Sequence, residues 1–317
     1  MAKSTARTEF FTRILQAYPT LPKKRKLVAD LILNDYKKIF LYSAKEIAQE
    51  CGVSEPTITR FAMDLGFAGF AEFEAYLKGL LHIELNSVER MVRASQTATP
   101  QEEHTLLRYC QNTIDCCRKL MTSISAQDFH NLARTIKDAE EVVVLGYRAA
   151  ASLAQFFGYL LKKVRGKVLI DTTCSWEAND LIAVGNSSIV VVAIAFPRYS
   201  QRILETLKFA RQFGCKTIGI SDTLVSPVIA GTDLHAVIDV VGLSFVDPFA
   251  PVVTFLEALI HEIAFLDKTA TLDRLGSIEK GLKAAREFYS EENSDVQKGL
   301  QTLTDEPLGV EFYRQRK

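Results

Sequence analysis

The sequence predicts an all-α N-terminal domain followed by an α/β domain with a doubly wound, five-stranded parallel sheet. Between residues 9 and 90, apolar residues recur at helical spacing. From residue 125 onward, apolar runs of four to eight residues, bounded by Gly and Asp, alternate with helical patterns. Such runs are typical of strands buried on both faces of a parallel sheet. A chain of 317 residues is also long enough for two domains.

The N-terminal half is predicted to contain a series of helices. They are expected around residues 10–15, at 23–34, as a pair of short helices within 43–66, and at 71–92. Small and polar residues at 94–101 indicate a linker. A further helix over residues 105–122 could belong to either domain or to a dimer interface.

In the C-terminal half, helices and strands are predicted to alternate along the chain. Strands are expected at residues 141–146, 167–170, 188–195, 216–220 and 236–240, and helices at 126–139, 149–164, 176–184, 200–213, 226–230, 251–266 and 272–288. A ligand of such a sheet is expected beyond the carboxyl ends of its strands, at a topological switch point. The polar segment 290–317 is expected to be loosely ordered.

The segment 43–66 is predicted to form a helix-turn-helix. Ser43 and Glu46 have the spacing of a capping box at the start of the first helix. Gly52 can adopt the positive φ that a tight turn requires. Ser54 is expected to cap the second helix, with Pro56 in its first turn.

The second of these helices has an apolar and a polar face. The residues expected to face inward are Ile58, Phe61 (or Ala62) and Leu65. Small polar groups and an arginine remain on the outer face, at the end that enters the major groove in helix-turn-helix proteins. The alternative is an ordinary αα-hairpin, but the preceding basic cluster 23–26 could hold phosphates and favours DNA. The predicted DNA-binding residues are Lys23, Lys24, Arg25, Lys45, Ser54, Thr57, Thr59 and Arg60.

Composition narrows the class of protein further. The net charge is zero, yet residues 1–80 carry three more basic than acidic residues and the remainder three more acidic ones. No apolar run reaches the length of a membrane span, and the N-terminus lacks a secretory signal, so a cytoplasmic protein is expected. The six cysteines lack metal-ligand spacing and are expected to be reduced. The sequence contains no nucleotide-binding or zinc motif, so neither a cofactor nor a metal is expected.

A longer motif lies in the helix-turn-helix region: Gly52-Val53-Ser54, Thr57-Ile58, Arg60-Phe61, Leu65-Gly66-Phe67 and Gly69-Phe70. This succession resembles the MurR/RpiR family of bacterial transcriptional regulators. The second half resembles the sugar isomerase (SIS) domain that this family carries, and the resemblance covers about residues 8–266. It implies a regulator that binds double-stranded operator DNA under control of a small metabolite. Because one small helical module makes too few DNA contacts for specificity, two copies are expected to act on an inverted repeat, as a homodimer or homotetramer.

The composition and the change of hydrophobic pattern along the chain predict the domain boundaries. They are a helix-turn-helix domain at 1–92, a linker and connecting helix at 93–124, a SIS-like domain at 125–290 and a polar tail at 291–317.

The two loops that usually hold phosphate in SIS domains depart from the family pattern. They read Gly146-Tyr-Arg148-Ala-Ala-Ala-Ser152 and Ala195-Phe-Pro-Arg198-Tyr199-Ser200, so each has gained an arginine. Guanidinium groups and the helix N-termini that follow both loops favour an anion, either a phosphosugar or a carboxylate. The predicted effector-binding residues are Gly146, Arg148, Ser152, Arg198, Tyr199 and Ser200. Alternatively, Arg148 and Arg198 form salt bridges to Asp171, Asp222 or Glu257.

A phosphosugar isomerase with a helical appendage is the competing hypothesis. Aldose–ketose isomerisation needs a general base near the bound sugar. His261 and Glu257, one helical turn apart, are the acid/base pair to consider, but packing or a surface contact is the more common role of such a pair. The sequence therefore favours a regulator over an enzyme.

Overall fold

The computed structural model describes residues 2–39, 42–97 and 104–288. Its N-terminal helices are α1 (Ala2–Ala17), α2 (Lys23–Ile39), α3 (Ala44–Glu50), α4 (Glu55–Asp64), α5 (Phe70–Glu84), α6 (Ser87–Thr97) and α7 (Thr105–Ser123), with a 3-10 turn at Tyr18–Thr20. Helix α4 packs against α2, α3 and α5. Aromatic side chains form much of the core of this helical half: Phe10, Phe61 and Phe73 are fully buried in one cluster.

The helix expected over residues 71–92 is in fact two helices. The side chain of Asn86 accepts hydrogen bonds from the N–H groups of Val88 and Glu89, at 2.9 and 3.0 Å. The Asn86 N–H donates in return to the Glu89 carboxylate at 2.8 Å. This reciprocal capping starts a new helix, so the prediction of one continuous helix was wrong. Residues 94–97, expected in a linker, belong to α6, and residues 98–103 lie outside the described residues.

The C-terminal half forms the expected parallel sheet. Its elements are α8 (Ala126–Asp138), β1 (Glu141–Leu145), α9 (Ala150–Val164), β2 (Val168–Asp171), α10 (Trp176–Ala183), β3 (Ile189–Ile194), α11 (Gln201–Gln212), β4 (Lys216–Ser221), β5 (Leu234–Val237) and α12 (Ala250–Leu266). The strand order is β2-β1-β3-β4-β5 and all four pairings are parallel. The prediction of a doubly wound sheet is confirmed, and its switch point lies between β1 and β3.

Two elements differ from the expectation near the last strand. The helix expected at 226–230 is a 3-10 turn at Ile229–Gly231. The strand expected at 236–240 ends at Val237, which pairs with Ser221, the last residue of β4. The Ile238 N–H still donates to the Ser221 carbonyl at 2.8 Å, but β4 ends at Ser221, so the residues after Ile238 continue outside the strand.

Helices cover both faces of the sheet. Val142 and Val144 pack with α8, α9 and α12, whereas Val143 and Leu145 pack with α10 and α11. This alternation explains why the strands are apolar throughout. None of the helices in the described ranges is long and apolar enough to cross a membrane.

The described residues up to Asp267 belong to one compact unit, and the described residues from Lys268 onward belong to a second. In the second unit the structure describes α13 (Lys268–Ala285), which starts four residues earlier than expected. The polar segment 290–317 lies outside the described residues.

Candidate functional site

The turn between α3 and α4 is built from the residues that the sequence singles out. The Ser43 hydroxyl accepts from the Glu46 N–H at 3.3 Å, and the Ser43 N–H donates to the Glu46 carboxylate at 2.7 Å. The Ser43 hydroxyl also donates to the Glu46 carboxylate at 2.7 Å, and this bond, together with the one from the Ser43 N–H, lowers the pKa of Glu46. Gly52 has φ +63°, a conformation that side-chain-bearing residues rarely adopt. The predicted helix-turn-helix geometry is therefore present.

Ser54 begins α4 but does not cap it through its side chain. Its hydroxyl lies 2.9 Å from the Thr57 hydroxyl, and no capping bond to the backbone forms. The reason is that the Thr57 N–H already donates to the Ser54 carbonyl at 2.8 Å. Ser54 therefore stands at the predicted N-cap position, but its hydroxyl contacts the Thr57 hydroxyl and makes no capping bond to the backbone.

The outer face of α4 carries the polar residues that the sequence assigned to it. Ile58 and Phe61 are fully buried, whereas Arg60 is exposed and Thr59 half-buried. The open groove beside them measures about 780 Å³ and is lined by Ala44, Glu55, Pro56, Thr59, Arg60, Met63 and Phe70.

Five residues of this groove were absent from the predicted DNA-binding set: Ala44, Glu55, Pro56, Met63 and Phe70. Glu55 and Met63 lie four residues before and after Thr59, so helical spacing alone could have placed them on the same face. Met63 is 56% exposed, which is unusual for a large apolar side chain in a helix that packs on its other face.

The basic cluster at the start of α2 divides into two kinds of residue. The Arg25 Nη1 lies 2.6 and 2.7 Å from the two carboxylate oxygens of Asp64, and therefore ties α2 to the end of α4. Lys26 lies over the Tyr18 ring, 5.1 Å from its centroid. By contrast, Lys23, Lys24 and Lys45 are exposed and have no ion-pair partner in the part of the chain that the structure describes.

The carboxyl ends of β1 and β3 meet at the switch point, since Leu145 pairs with Ala193. Gly146 follows β1, and its N–H donates to the Asp171 carbonyl at 3.2 Å. A Cβ at this position would lie 2.5 Å from the Ala150 carbonyl oxygen and 2.6 Å from the Ala154 Cβ. Gly146 therefore allows the loop to approach α9, and its N–H is not available to a ligand.

Two helix N-termini flank this switch point. Neither Ala149, before α9, nor Ser200, before α11, makes a side-chain capping bond. The first N–H groups of α11 can therefore meet an anion, whereas in α9 the Ala151 N–H already donates to the Arg148 carbonyl at 3.1 Å. Ser152 is exposed in the first turn of α9, although its hydroxyl donates to the Ala149 carbonyl at 2.9 Å.

Arg148 and Arg198 extend into solvent from the same two loops. Both are exposed, and Arg148 has φ +59°. Within residues 2–39, 42–97 and 104–288, neither guanidinium forms an ion pair, so the alternative of a salt bridge to a nearby carboxylate is not observed. Both positive charges remain available at the edge where the helix N-termini lie.

The candidate carboxylate partners are bound by tyrosines and backbone groups. The Tyr147 hydroxyl donates to Asp171 at 2.8 Å, and the Tyr199 hydroxyl donates to Asp222 at 2.6 Å. Burial, and then the adjacent carboxylate, raises the pKa of both tyrosines. Tyr199 was predicted to contact the effector, but its hydroxyl proton is directed to Asp222 and supports the loop from beneath.

The acid/base pair of the isomerase hypothesis lies on α12 and not in either of the two effector loops. Glu257 and His261 are both exposed on α12, and the His261 ring stacks on Phe265 with a centroid separation of 4.4 Å. Among the described residues, no three His, Cys, Asp or Glu side chains cluster as a metal site would require.

The chain thus joins a helix-turn-helix to a parallel sheet whose switch point carries unpaired arginines, an architecture typical of ligand-responsive DNA-binding regulators. Residues 8–83 match the family model described as the helix-turn-helix domain of the rpiR family, and residues 135–262 match the SIS domain. The chain belongs to the RpiR family of transcriptional regulators.

Individual relatives agree with this assignment. An HTH-type transcriptional regulator of Haemophilus influenzae is 24% identical over 234 residues, which are 74% of this chain and 80% of the relative. Among solved structures, the sugar isomerase domain of an RpiR transcription factor from Sphaerobacter thermophilus aligns with 56% of this chain and 99% of its own (TM-score 0.54, 18% identity). The Vibrio vulnificus NanR protein, complexed with ManNAc-6P, aligns with 86% of this chain and 97% of its own (TM-score 0.53, 15% identity). At these identities the two structures show a shared fold.

Proposed function

We propose that this regulator binds an inverted-repeat operator as a homodimer and changes its operator affinity when an anionic metabolite binds between β1 and β3. The observation that carries the proposal is the pair of exposed guanidinium groups, Arg148 and Arg198, which form no ion pair with any described residue and lie beside two helix N-termini that lack side-chain caps. The ligand-binding edge and the helix-turn-helix belong to one chain, so the occupancy of one can bias the other.

In the proposed DNA complex, the N-terminal half of α4 enters the major groove. Arg60 contacts a base or phosphate and Thr59 a base edge, because both lie on the open outer face. Thr57 and Ser54 contribute through hydroxyls that already contact each other. The exposed residues Lys23, Lys24 and Lys45 bind phosphates, while Arg25 positions α4 through Asp64.

The ligand is proposed to be a phosphosugar or another phosphate or carboxylate. Helix N-termini favour negative charge, and a guanidinium group binds phosphate or carboxylate with two parallel hydrogen bonds. Because the related fold of NanR is complexed with ManNAc-6P, phosphosugars are the first class to test.

Binding rather than isomerisation is proposed for this site. Residues 146–152 and 195–200 contain neither His nor Glu that could act as a general base. The tyrosine of the second loop, Tyr199, holds its proton against Asp222 and is a poor base at neutral pH because its pKa is raised.

Assembly as a homodimer, or a homotetramer, fits the small size of the helix-turn-helix domain. One small helical module makes few base contacts, so two copies on two half-sites are needed for specificity. Large apolar side chains that are at least half exposed occur on α6 and α7; they are Val88, Met91, Val92, Leu106, Leu107 and Met121. These residues support an interface between copies. Operator binding assigns the protein to the cytoplasm.

A titration on the gene's own promoter tests this proposal. The full-length protein is expected to give a symmetric footprint, and ManNAc-6P or another sugar phosphate should change its operator affinity by roughly 5- to 150-fold. Loss of both arginines, in Arg148→Ala/Arg198→Ala, should abolish this response while leaving operator binding intact. Wild-type ligand affinity in the double variant would place the ligand elsewhere, and a footprint without two-fold symmetry would contradict the dimer.

A further inference from the structure

Helix α6, which follows the helix-turn-helix domain, contacts the α/β domain through Arg90. The Arg90 guanidinium forms an ion pair with Asp247, and its Nε donates to the Ser244 carbonyl at 3.1 Å. Both charged side chains are only 11% exposed. A pair so far removed from water is costly to break on one side, because the remaining charge would stay buried and uncompensated.

The segment that holds Arg90 also contacts the next helix along the chain. The Tyr109 hydroxyl lies 3.0 Å from the Ser244 hydroxyl, and the Asn112 amide donates to the Val241 carbonyl at 3.1 Å. Residues 241–247 therefore bind both helices, α6 and α7, that lie between the DNA-binding helices and the sheet. A shift of residues 241–247 therefore changes the contacts of both helices at once.

The same segment is packed against the proposed effector loop. Phe249, two residues after Asp247, contacts the Phe196 ring with a centroid separation of 5.6 Å. Phe196 is 6% exposed and lies two residues before Arg198. An anion that moves Arg198 must act on the loop anchored by the Phe196 ring.

We propose that the Phe196–Phe249 contact and the Arg90–Asp247 ion pair together transmit effector binding from the β1/β3 cleft to α6, the helix that follows the DNA-binding helices in the chain. This inference rests on the proposed function, since it names the route by which that cleft controls the operator. Tightly packed side chains and a buried ion pair adopt discrete arrangements rather than deforming continuously, which is what a switch requires. Arg90 and Asp247 are positioning residues and touch neither ligand nor DNA.

Hydrogen exchange in the full-length protein tests the route without a ligand. The readout is the exchange rate of the α6 backbone amides in wild type, Asp247→Asn and Phe249→Leu. Asp247→Asn should raise that rate by about tenfold or more, because it leaves Arg90 buried without its counter-charge. Phe249→Leu should raise it several-fold, although Phe249 makes no ring contact with α6.

The chain offers a matched control for the aromatic substitution. Phe129 contacts Phe255 at the same ring separation, 5.6 Å, in the core between α8 and α12. Phe129→Leu removes a comparable contact outside the route and should leave α6 exchange unchanged. Thermal melting of each variant verifies that the fold persists. Wild-type α6 exchange in Phe249→Leu, or an equal increase in Phe129→Leu, would overturn the route.

Inorganic phosphate separates this inference from the proposed function. Phosphate should bind the wild type in calorimetry and alter α6 exchange there, but leave α6 exchange unaltered in Phe249→Leu, where the ring contact is lost. An equal phosphate effect in both proteins would overturn the route while leaving the cleft as the binding site. If phosphate and sugar phosphates fail to bind the wild type, the phosphate-bearing ligand of the proposed function is wrong, and the mutant exchange rates still decide the route.

Discussion

Replacing Arg198 with Ala should weaken anion binding without weakening the fold. Arg198 is exposed and, among the described residues, makes no ion pair, so its removal should change the free energy of unfolding by no more than about 0.5 kcal/mol. A hydrogen bond from a charged donor to a ligand contributes roughly 1.5–3 kcal/mol. The dissociation constant for a sugar phosphate should therefore rise by roughly 10- to 150-fold.

Calorimetry with sugar phosphates, alongside urea unfolding, measures both quantities in the same preparation. Arg211→Ala is the matched control, because Arg211 is equally exposed but lies at the opposite end of α11. The control should bind ligand as the wild type does. Equal losses in the two variants would mean that general charge, and not the position of Arg198, attracts the anion. An unchanged affinity in Arg198→Ala would refute the placement of the ligand.

Three other predictions concern DNA, thiol reactivity and pH. Arg60→Ala should cost about 1–3 kcal/mol of operator affinity and relax specificity if Arg60 contacts a guanine. Lys24→Ala should instead weaken binding to all DNA sequences alike and lower the salt slope by about one. Gel shifts at several salt concentrations distinguish the two effects, and equal losses on random DNA would exclude base recognition by Arg60. Burial raises the pKa of Cys116 to about 11. Near pH 8, iodoacetamide should therefore modify the exposed Cys110 and spare Cys116, which peptide mass mapping measures. Rapid modification of Cys116 in the native protein would contradict its burial. Burial and Asp222 raise the pKa of Tyr199, so above about pH 10 only the unfolded state loses this proton and stability falls with rising pH, by up to about 1.4 kcal/mol per pH unit. Urea unfolding of Tyr199→Phe should show a shallower loss, and parallel curves would be the contrary result.

Local capping explains where sequence reasoning about the helices succeeded and where it failed. The Ser43–Glu46 capping box and the positive φ of Gly52 were predicted, because both depend on residues close together in the chain. The start of α6 at Asn86 uses the same kind of local signal. It went unrecognised because continuous helical spacing across the boundary concealed it. By contrast, the Ser54–Thr57 contact was decided by a backbone hydrogen bond that the sequence does not display.

For the candidate site, the sequence identified the loops but not the role of every side chain. Arg148 and Arg198 were expected either to bind ligand or to pair with carboxylates, and only the fold shows that Asp222 is occupied by Tyr199. Likewise, Arg25 stood in a basic cluster, yet its partner Asp64 lies 39 residues away. Such pairings depend on which elements lie next to each other.

By itself, the sequence determined the class of fold, the family and the edge of the sheet at which a ligand is expected. Hydrophobic periodicity and turn chemistry are local properties, and the family motif lies in one continuous stretch, so neither required a three-dimensional structure. Only the tertiary structure decided which polar groups are already satisfied and which, like Arg198, remain free. It alone joined Arg90 to Asp247, 157 residues apart, because burial and ion pairing arise from the packing of distant segments.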